Sequence, residues 1–425
     1  MDISIEIQEV LREGVLQNIE INTIEALVED RVQLLAEMNR VLEGVAEQQN
    51  IYLSSQTQNA FAEMMADEIL GYGPLRPLLE DETVSDILVN GPKSIYVERF
   101  GKLELTTCRF INNQLTDIAK RLVQKVGRRL DEGRPLVDAR LHDGSRLNVA
   151  IPPIALDGTS ISIRKFGKSN IELSDLIRMG AMSGQMANFL IIAARCRVNI
   201  IISGGTGSGK TTLLNALSKY IDPSERIITM EDAAELRMMQ PHVLRMETRL
   251  AGVENTGQIT MRALLINSLR MRPDRIIVGE CRGEESFEML QAMNTGHDGS
   301  MSTLHANNPR DAISRLENMV MMAGMNIPME SIRRNIVSAI NIIIQVSRLN
   351  DGSRKIMNIS EVMGIEGDRV ILQDIFTFQS QSERDENGKI KGEFVNHGLL
   401  MRSTVMRNAV MFDVSDELKH IFGME

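Results

Sequence analysis

The sequence predicts an α/β protein with a mainly parallel sheet, preceded by a smaller mixed α/β domain and a helical N-terminal segment. Three observations support this prediction. A glycine-rich loop lies between an apolar strand, 200–202, and an amphipathic helix. Short strands with glycine turns come before it, between residues 84 and 164. Apolar segments that alternate with helical patterns follow it, as expected for a parallel sheet, at 227–230, 276–279, 301–304 and 342–346.

The length and charge of the chain limit the classes of protein to which it can belong. Its 425 residues are enough for two or three domains. The 47 basic and 57 acidic side chains give a net charge of −10, which argues against sequence-independent binding of nucleic acid. Three widely spaced cysteines suit a reducing compartment and indicate no metal site. With no signal-peptide pattern and no apolar run long enough to span a bilayer, we expect a cytoplasmic protein without an integral membrane segment.

Changes in composition and period divide the chain into four segments. We predict a helical segment at 1–58, a mixed α/β domain at 59–166, a linker at 167–180, and the domain with the parallel sheet at 181–425. The helical segment either caps the next domain or packs on a partner. Within the last segment we expect a surface loop or hairpin near 380–396 and a short helical tail.

The glycine-rich loop matches the G-x-x-x-x-G-K-[ST] pattern of a phosphate-binding loop. Its glycines allow backbone N–H groups to turn toward an anion, and the following helix directs its positive dipole end to the same place. We expect Lys210 to contact the β- and γ-phosphates of ATP, and Thr211 to supply a hydroxyl ligand to Mg²⁺. The residues predicted to bind nucleotide are Gly204, Gly205, Thr206, Gly207, Ser208, Gly209, Lys210, Thr211 and Thr212.

Two glutamates follow predicted strands and are candidates for catalysis. In an open α/β sheet the ligand lies beyond the carboxyl ends of the parallel strands. Glu231 follows the strand 227–230, where a carboxylate could orient or deprotonate the attacking water. Glu280 follows the strand 276–279 and could hold Mg²⁺ through the water shell of the ion. Asp274 is excluded because roughly 20 Å of strand separates it from Glu280.

A histidine and a set of arginines complete the candidate site. His305 follows the strand 301–304 and could hydrogen-bond the γ-phosphate, whereas His297 would lie at the other end of that strand. Hydrolysis of a phosphoanhydride is catalysed largely by positive charge near the transferred oxygens, which arginines from another domain or subunit can supply. The candidates for this contact are Arg140, Arg146 and Arg164, together with Arg270 and Arg272 before the strand that leads to Glu280.

Taken together, these segments resemble the ATPase superfamily of bacterial type II and type IV secretion systems. That family carries a phosphate loop, an Asp box, a Walker B segment and a His box, which match 204–212, 229–236, 269–280 and 295–307 in this order. Further segments look like the branch that powers tight-adherence (Flp) pili, of the TadA/CpaF type. These segments are GYGPL at 71–75, VSDILVNG at 84–91, DARL at 138–141, DGSR at 143–146 and IRKF at 163–166.

The resemblance implies a RecA-like P-loop ATPase domain behind a smaller, PAS-like N-terminal domain. It implies a homohexamer in which ATP lies between the two domains of one subunit and the neighbouring subunit. It also implies a cytoplasmic motor, peripheral to the inner membrane, that acts on platform proteins of a pilus machine in extension or retraction. Either Glu231 or Glu280 is then the water-activating carboxylate. Cys281 departs from the expected aliphatic residue, and we expect its oxidation to affect turnover.

Two other functions are compatible with the phosphate-binding loop. A RecA-like nucleic-acid translocase uses the same sheet, but the acidic charge, the lack of tryptophan and the 4% aromatic content argue against it. A scaffold that binds ATP without hydrolysing it is disfavoured because both Glu231 and Glu280 are present. We therefore predict an ATP hydrolase without a nucleic-acid partner.

Overall fold

The computed structural model describes residues 4–19, 30–99, 101–111, 114–166, 171–249, 251, 256–324, 326–386 and 388–424. The chain forms two compact units, residues 1–168 and residues 169–425. Each unit has its own buried apolar core. The polar residues 167–170, where the sequence placed the start of a linker, lie outside the described residues.

Among the described residues, the first unit begins with three helices that share one hydrophobic cluster. These are α1 (Ile5–Asn18), α2 (Arg31–Gln48) and α3 (Ser55–Ile69). The side chains of Ser4, Asp30 and Ser54 each accept a hydrogen bond from an N–H group in the first turn, which fixes where each helix begins. α3 spans the predicted boundary between residues 58 and 59. The side chains buried between the helices include Leu11, Leu34, Met38, Leu42, Phe61 and Met65.

A six-stranded antiparallel sheet forms the rest of the first unit. A 3₁₀ turn (Gly73–Leu75) and the short helix α4 (Arg76–Glu80) lead into it, and the helix α5 (Gln114–Lys125) contributes to its core. The sheet order is β3-β2-β1-β6-β5-β4. The strands are β1 (Val84–Asn90), β2 (Ile95–Arg99), β3 (Lys102–Leu105), β4 (Leu136–Arg140), β5 (Arg146–Ala150) and β6 (Ser160–Arg164).

The second unit alternates strands and helices before it ends in antiparallel strands and two short helices. The helices are α6 (Leu173–Arg178), α7 (Gly184–Arg195), α8 (Lys210–Ser218), α9 (Met261–Ser268), α10 (Glu285–Asn294), α11 (Pro309–Met322), α12 (Met329–Ala339), α13 (Thr404–Met411) and α14 (Ser415–Phe422). The strands are β7 (Ile200–Gly204), β8 (Ile227–Glu231), β9 (Val243–Glu247), β10 (Arg275–Val278), β11 (Met301–Leu304), β12 (Ile342–Arg348), β13 (Arg354–Glu366), β14 (Arg369–Arg384) and β15 (Ile390–Asn396).

The nine strands that the structure describes in the second unit belong to one sheet, in the order β15-β14-β13-β12-β7-β11-β10-β8-β9. The six strands from β12 to β9 in this order pair in parallel, and β13, β14 and β15 pair antiparallel. β7 lies inside the parallel part and every one of its residues is buried. The α/β fold predicted from the sequence is confirmed, and the carboxyl ends of the six parallel strands meet at one edge.

The predicted linker is partly wrong. Residues 173–178 form α6, whose Leu173 is buried in the core of the second unit. The backbone N–H of Asp175 is capped by Glu172, and the Asp175 carboxylate accepts the N–H of Glu172, so this short helix has a reciprocal cap. Residues 173–180 therefore belong to the second unit rather than to a linker.

The C-terminal predictions are confirmed. Residues near 380–396 form the β14–β15 hairpin, and α13 and α14 are the expected helical tail. The tail packs into the core of the second unit through Val405 and Leu418, and Asn408 donates to the carbonyl of Cys196 at 2.9 Å. Among the described residues, none of the helices combines the length and the apolar character needed to cross a lipid bilayer.

Candidate nucleotide-binding site

The glycine-rich loop connects β7 to α8 at the carboxyl edge of the parallel strands. Gly207 and Gly209 have φ angles of 68° and 100°, which only glycine adopts without strain. Gly204 is required for a different reason, because a β-carbon there would lie 2.2 Å from the carbonyl oxygen of Val346 on β12. The glycines thus allow both the turn of the loop and the close approach of two parallel strands.

The glycine-rich loop encloses two of its own side chains, those of Lys210 and Ser208. Lys210 is 8% exposed, and its Nζ donates to the carbonyl oxygens of Gly204 at 2.9 Å and Gly205 at 3.0 Å. Burial lowers the pKa of the Lys210 ammonium from its usual value. Ser208 is 1% exposed, and its hydroxyl has no hydrogen-bond partner among the described residues. A buried hydroxyl of this kind fits a loop that binds a polar ligand.

The other predicted loop residues surround this enclosed pair. Gly205, Thr206 and Gly207 are exposed, and a β-carbon on Gly205 would meet no other atom within 4 Å. Thr211 and Thr212 are half-buried in the first turn of α8, where the helix presents unpaired N–H groups and its positive end. The loop therefore has the exposure and the donors that a phosphate chain requires.

Glu280 and His305 lie side by side at the ends of neighbouring strands. Glu280 follows β10 and His305 follows β11, and 2.7 Å separates Oε1 of Glu280 from Nε2 of His305. The other carboxylate oxygen accepts a hydrogen bond from Nε of Arg282 at 2.8 Å. Burial, followed by the nearby charge of Lys210, lowers the pKa of His305. The sheet therefore brings together the glutamate and the histidine that the sequence predicted.

Glu231 ends β8 and has a different environment. It is 3% exposed, and its Oε1 accepts the backbone N–H groups of Glu235 at 2.7 Å and Leu236 at 2.9 Å. Burial raises the pKa of Glu231, against the effect of these hydrogen bonds. A β-carbon on Gly279 would lie 2.7 Å from Cγ of Glu231, so Gly279 allows the two strand ends to approach.

Two residues that the sequence placed at the far edge of the sheet are found there. Asp274 precedes β10, and its Oδ2 accepts the backbone N–H of Arg226, just before β8, at 2.7 Å. His297 precedes β11 and shares a hydrogen bond with the carbonyl of Ala292. Both lie at the amino ends of their strands, away from the edge that carries the loop.

The expected sensitivity of Cys281 to oxidation is wrong. The Cys281 side chain is 2% exposed, inside the apolar cluster beside β10. Burial raises its pKa well above the usual range of a thiol. A buried protonated thiol is a poor nucleophile, so Cys281 acts as a small core residue.

Three of the predicted arginines form a row across the sheet of the first unit. Arg146 on β5 is paired directly with Arg140 on β4 and with Arg164 on β6. Directly paired residues share a face of an antiparallel sheet, so the row is continuous over three strands. Arg164 donates from Nε to Asp86 at 3.1 Å, and the Arg140 guanidinium lies 5.7 Å from the ring centre of Phe166. The register of β4, β5 and β6 thus concentrates positive charge on this face.

Sequence reasoning missed one contact to the loop. Arg354 opens β13 and donates from Nε to the carbonyl oxygen of Gly207 at 2.9 Å. The signal was present, because β12 was predicted as a parallel strand and the residues after such a strand lie at the binding edge. The segment after β12 leads directly to Arg354.

The residues of this site fit both ATP and a magnesium ion. The orphaned Ser208 hydroxyl and the open space over Gly205 suit a phosphate chain. Mg²⁺ bound with nucleotide needs only one or two protein ligands, because phosphates and water supply the rest. The Thr211 hydroxyl is available for this in the first turn of α8. Glu280, whose oxygens contact His305 and Arg282, suits a role through the water shell.

Comparisons with known proteins show the family of the chain. The family model for Type II/IV secretion system protein matches residues 68–414. A putative conjugal transfer protein of Mycobacterium tuberculosis is 36% identical over 311 residues, which are 72% of this chain and 88% of that protein. The type IV secretion system protein VirB11 of Bartonella henselae is 31% identical over 328 residues, with coverage of 67% and 90%. The solved structure of the pilus retraction motor PilT with bound ADP is 20% identical, covers 81% of this chain and 88% of that chain, and has a TM-score of 0.49.

The fold and the site define a P-loop ATPase whose RecA-like domain follows a smaller N-terminal domain. The family model spans most of the chain. The chain therefore belongs to the type II/IV secretion system family, and it is an ATP-hydrolysing enzyme.

Proposed function

We propose that this chain powers a tight-adherence (Flp) pilus as a homohexameric ATPase at the cytoplasmic face of the inner membrane. The five segments that resemble this branch, from residue 71 to residue 166, support the choice of pilus. The ring transmits the closing and opening of its subunits to platform proteins of the pilus machine, without a nucleic-acid partner.

The contact between Glu280 and His305 beside the phosphate-binding loop is the observation on which hydrolysis rests. Lys210 and the N–H groups of the loop bind the phosphates of ATP, and Thr211 holds Mg²⁺, which neutralises charge on the phosphate oxygens when bound. Glu280 accepts a proton from the attacking water, since it is the more exposed of the two glutamates and neither of its oxygens is held by a backbone N–H group in the described contacts. Glu231 orders the turn after β8.

The arginine row supplies positive charge to the nucleotide. Three in-register arginines present several guanidinium groups on one face, which suits the oxygens of a phosphate chain. We infer that this row contacts the phosphates of ATP in the same or a neighbouring subunit. Arg140, Arg146 and Arg164 then stabilise the charge that develops on the transferred phosphate.

The first test is hydrolysis of ATP by the purified chain and by the Lys210→Ala variant. We expect the variant to fold and to lose turnover, because the ammonium is the main positive charge within the loop. Lys219→Ala is the matched control, since Lys219 lies just after α8 and pairs with Glu172 at the surface. Wild-type turnover in Lys210→Ala would refute the proposal.

A second candidate function is transport by a conjugal or type IV secretion system. It is favoured by the relatives at 36% and 31% identity, which are named for those systems. Deletion of the gene in its host, followed by complementation, separates the two. Loss of surface pili with unchanged plasmid transfer supports the pilus motor, whereas the reverse result supports conjugal transport.

A further inference from the structure

The β12–β13 hairpin reaches the phosphate-binding loop because β12 is longer than its neighbour. Val346 on β12 is paired with Gly204, the last residue of β7, and β12 continues to Arg348. The two strands are parallel, so this extension lies beyond the carboxyl edge of the sheet, level with the loop. β13 then returns antiparallel and places Arg354 opposite Arg348. The topology therefore brings two arginines to the loop.

Arg354 covers the outer side of the loop. Its Nε donates to the carbonyl oxygen of Gly207 at 2.9 Å, and its Cδ lies 3.5 Å from where a β-carbon of Gly209 would be. Nη1 of Arg348 lies 3.8 Å from the corresponding position on Gly207. The aliphatic part of the Arg354 side chain thus lies against Gly209, while its guanidinium binds the carbonyl of Gly207.

The bond to Gly207 fixes the direction of the next N–H group. In a trans peptide the C=O and the following N–H point in opposite directions within one rigid plane. Because the Gly207 carbonyl points out to Arg354, the N–H of Ser208 points into the loop. Ser208 N lies 3.4 Å from the carbonyl oxygen of Gly205, a long and weak contact. This N–H is therefore available to an anion inside the loop.

The hairpin is held in place before any ligand binds. Oδ1 of Asp351 accepts the N–H of Ser353 at 2.9 Å, and Oδ2 accepts the N–H of Ile390 on β15 at 2.6 Å. Burial acts to raise the pKa of Asp351, but these hydrogen bonds outweigh it and bring the pKa to about 2. Next to Arg354, Lys355 donates to the carbonyl of Gly180 at 2.6 Å. The turn before Arg354 and the residue after it are thus both held by hydrogen bonds.

We propose that Arg354 is a positioning residue of the nucleotide site, which orients the Ser208 N–H toward the phosphates by holding the Gly207 carbonyl. This inference rests on the proposed function of the loop. The Ser208 N–H contacts the phosphate chain equally in the bound substrate and in the transition state. Loss of Arg354 therefore weakens binding and raises KM, with a smaller change in kcat.

The test compares Arg354→Ala with Arg384→Ala. Arg384 is also exposed and donates to a glycine carbonyl, that of Gly388 at 2.9 Å, but at the tip of the β14–β15 hairpin. We expect Arg354→Ala to raise the KM for ATP and the Kd for ADP by about tenfold, as for loss of one charge-assisted hydrogen bond. Arg384→Ala should leave both constants unchanged. Arg354→Lys, which keeps a cationic donor, should recover part of the loss.

Competition by pyrophosphate against a fluorescent ADP analogue locates the effect. We expect Arg354→Ala to weaken the binding of pyrophosphate and of ADP by the same factor, because the altered N–H of Ser208 faces the phosphates. Weaker binding of ADP with unchanged binding of pyrophosphate would overturn the proposal. Wild-type values of KM and Kd in Arg354→Ala would also overturn it. Should that variant fail to fold, Arg354→Gln carries the same test. Hydrolysis that survives Lys210→Ala would instead refute the proposed function.

Discussion

Oε1 of Glu280 lies 2.7 Å from Nε2 of His305, although the two residues are separated by 25 positions in the sequence. The parallel pairing of β10 with β11 produces this contact. His305 directly follows β11 and Glu280 comes two residues after the end of β10, so both lie at the same edge of the sheet. Burial and the charge of Lys210 lower the pKa of His305.

The two candidate glutamates can be separated by isosteric substitution. We expect Glu280→Gln to lower kcat by at least about 100-fold, the usual range for loss of a general base. An amide oxygen at position 231 still accepts the N–H groups of Glu235 and Leu236, so Glu231→Gln should keep the fold and lose much less activity. The measurement is steady-state ATP hydrolysis at pH 7.5, with melting temperature as the check on folding.

A larger loss of kcat in Glu231→Gln than in Glu280→Gln would assign water activation to Glu231. Glu280→Asp is the matched variant for charge, because it keeps the carboxylate and shortens the side chain by one methylene. Intermediate activity in this variant would show that both charge and reach are required.

Mixing of inactive variants tests whether the arginine row acts between subunits. We expect Arg146→Ala and Lys210→Ala each to lose most activity alone. If Arg146 serves the site of a neighbouring subunit, a re-assembled 1:1 mixture should recover roughly a quarter of wild-type activity, since some interfaces combine an intact arginine with an intact lysine. Arg109→Ala is the control, because the exposed Arg109 side chain donates to nearby backbone carbonyls, those of Thr106 and Cys108. No recovery would place Arg146 and Lys210 in one subunit's site.

Two glycines of the N-terminal helices should respond to alanine in opposite directions. A β-carbon on Gly14 would lie 2.4 Å from Cγ1 of Val45, so Gly14→Ala overpacks the contact between α1 and α2 and should cost about 1–3 kcal/mol of unfolding free energy. Gly44 is exposed in α2 with no other atom within 4 Å of its β-position, so Gly44→Ala should gain about 0.5–1 kcal/mol. Urea unfolding measures both. A gain of stability in both variants would contradict the packing of α1 on α2.

The three thiols should be unreactive in the folded protein. Burial raises the pKa of Cys108 and of Cys196 to about 11, and it also raises that of Cys281 well above the usual range of a thiol. Thiolate is therefore scarce at pH 8, and we expect a chromogenic disulfide reagent to label no thiol quickly until guanidinium unfolds the chain. Rapid labelling of Cys281 with loss of ATPase activity would contradict its buried position.

Most of the candidate site could be predicted from the rule that ligand-binding residues follow the carboxyl ends of parallel strands. The residues after β12 were missed because the rule was not applied to that strand. Glu231, Glu280 and His305 each follow a parallel strand, and the position of such a residue depends only on strand order and direction. The same rule applied to β12 leads to Arg348 and Arg354. Asn341 precedes that strand and Gln345 lies in its middle, so the apolar run is interrupted and its continuation to Arg348 was not recognised.

Register and short helices could not be predicted in the same way. The sequence named Arg140, Arg146 and Arg164, but their alignment depends on β4, a five-residue strand with alternating exposure that carries a weak signal. α6 was missed because its cap uses Glu172 and Asp175 rather than the usual serine or threonine. Side-chain contacts such as that of Arg354 with Gly207 depend on a loop conformation that no periodicity encodes.

Gln345 limits where the chain can change shape during turnover. It is 2% exposed, its Nε2 donates to the carbonyl of Ala306 at 3.1 Å, and its Oε1 accepts the hydroxyl of Ser203. One buried amide therefore ties together β7, β12 and the residue next to His305. Separating them would leave polar groups unpaired in a close-packed interior, which is costly. We therefore expect the strands that carry the loop and His305 to stay together during turnover, and any conformational change to arise outside them.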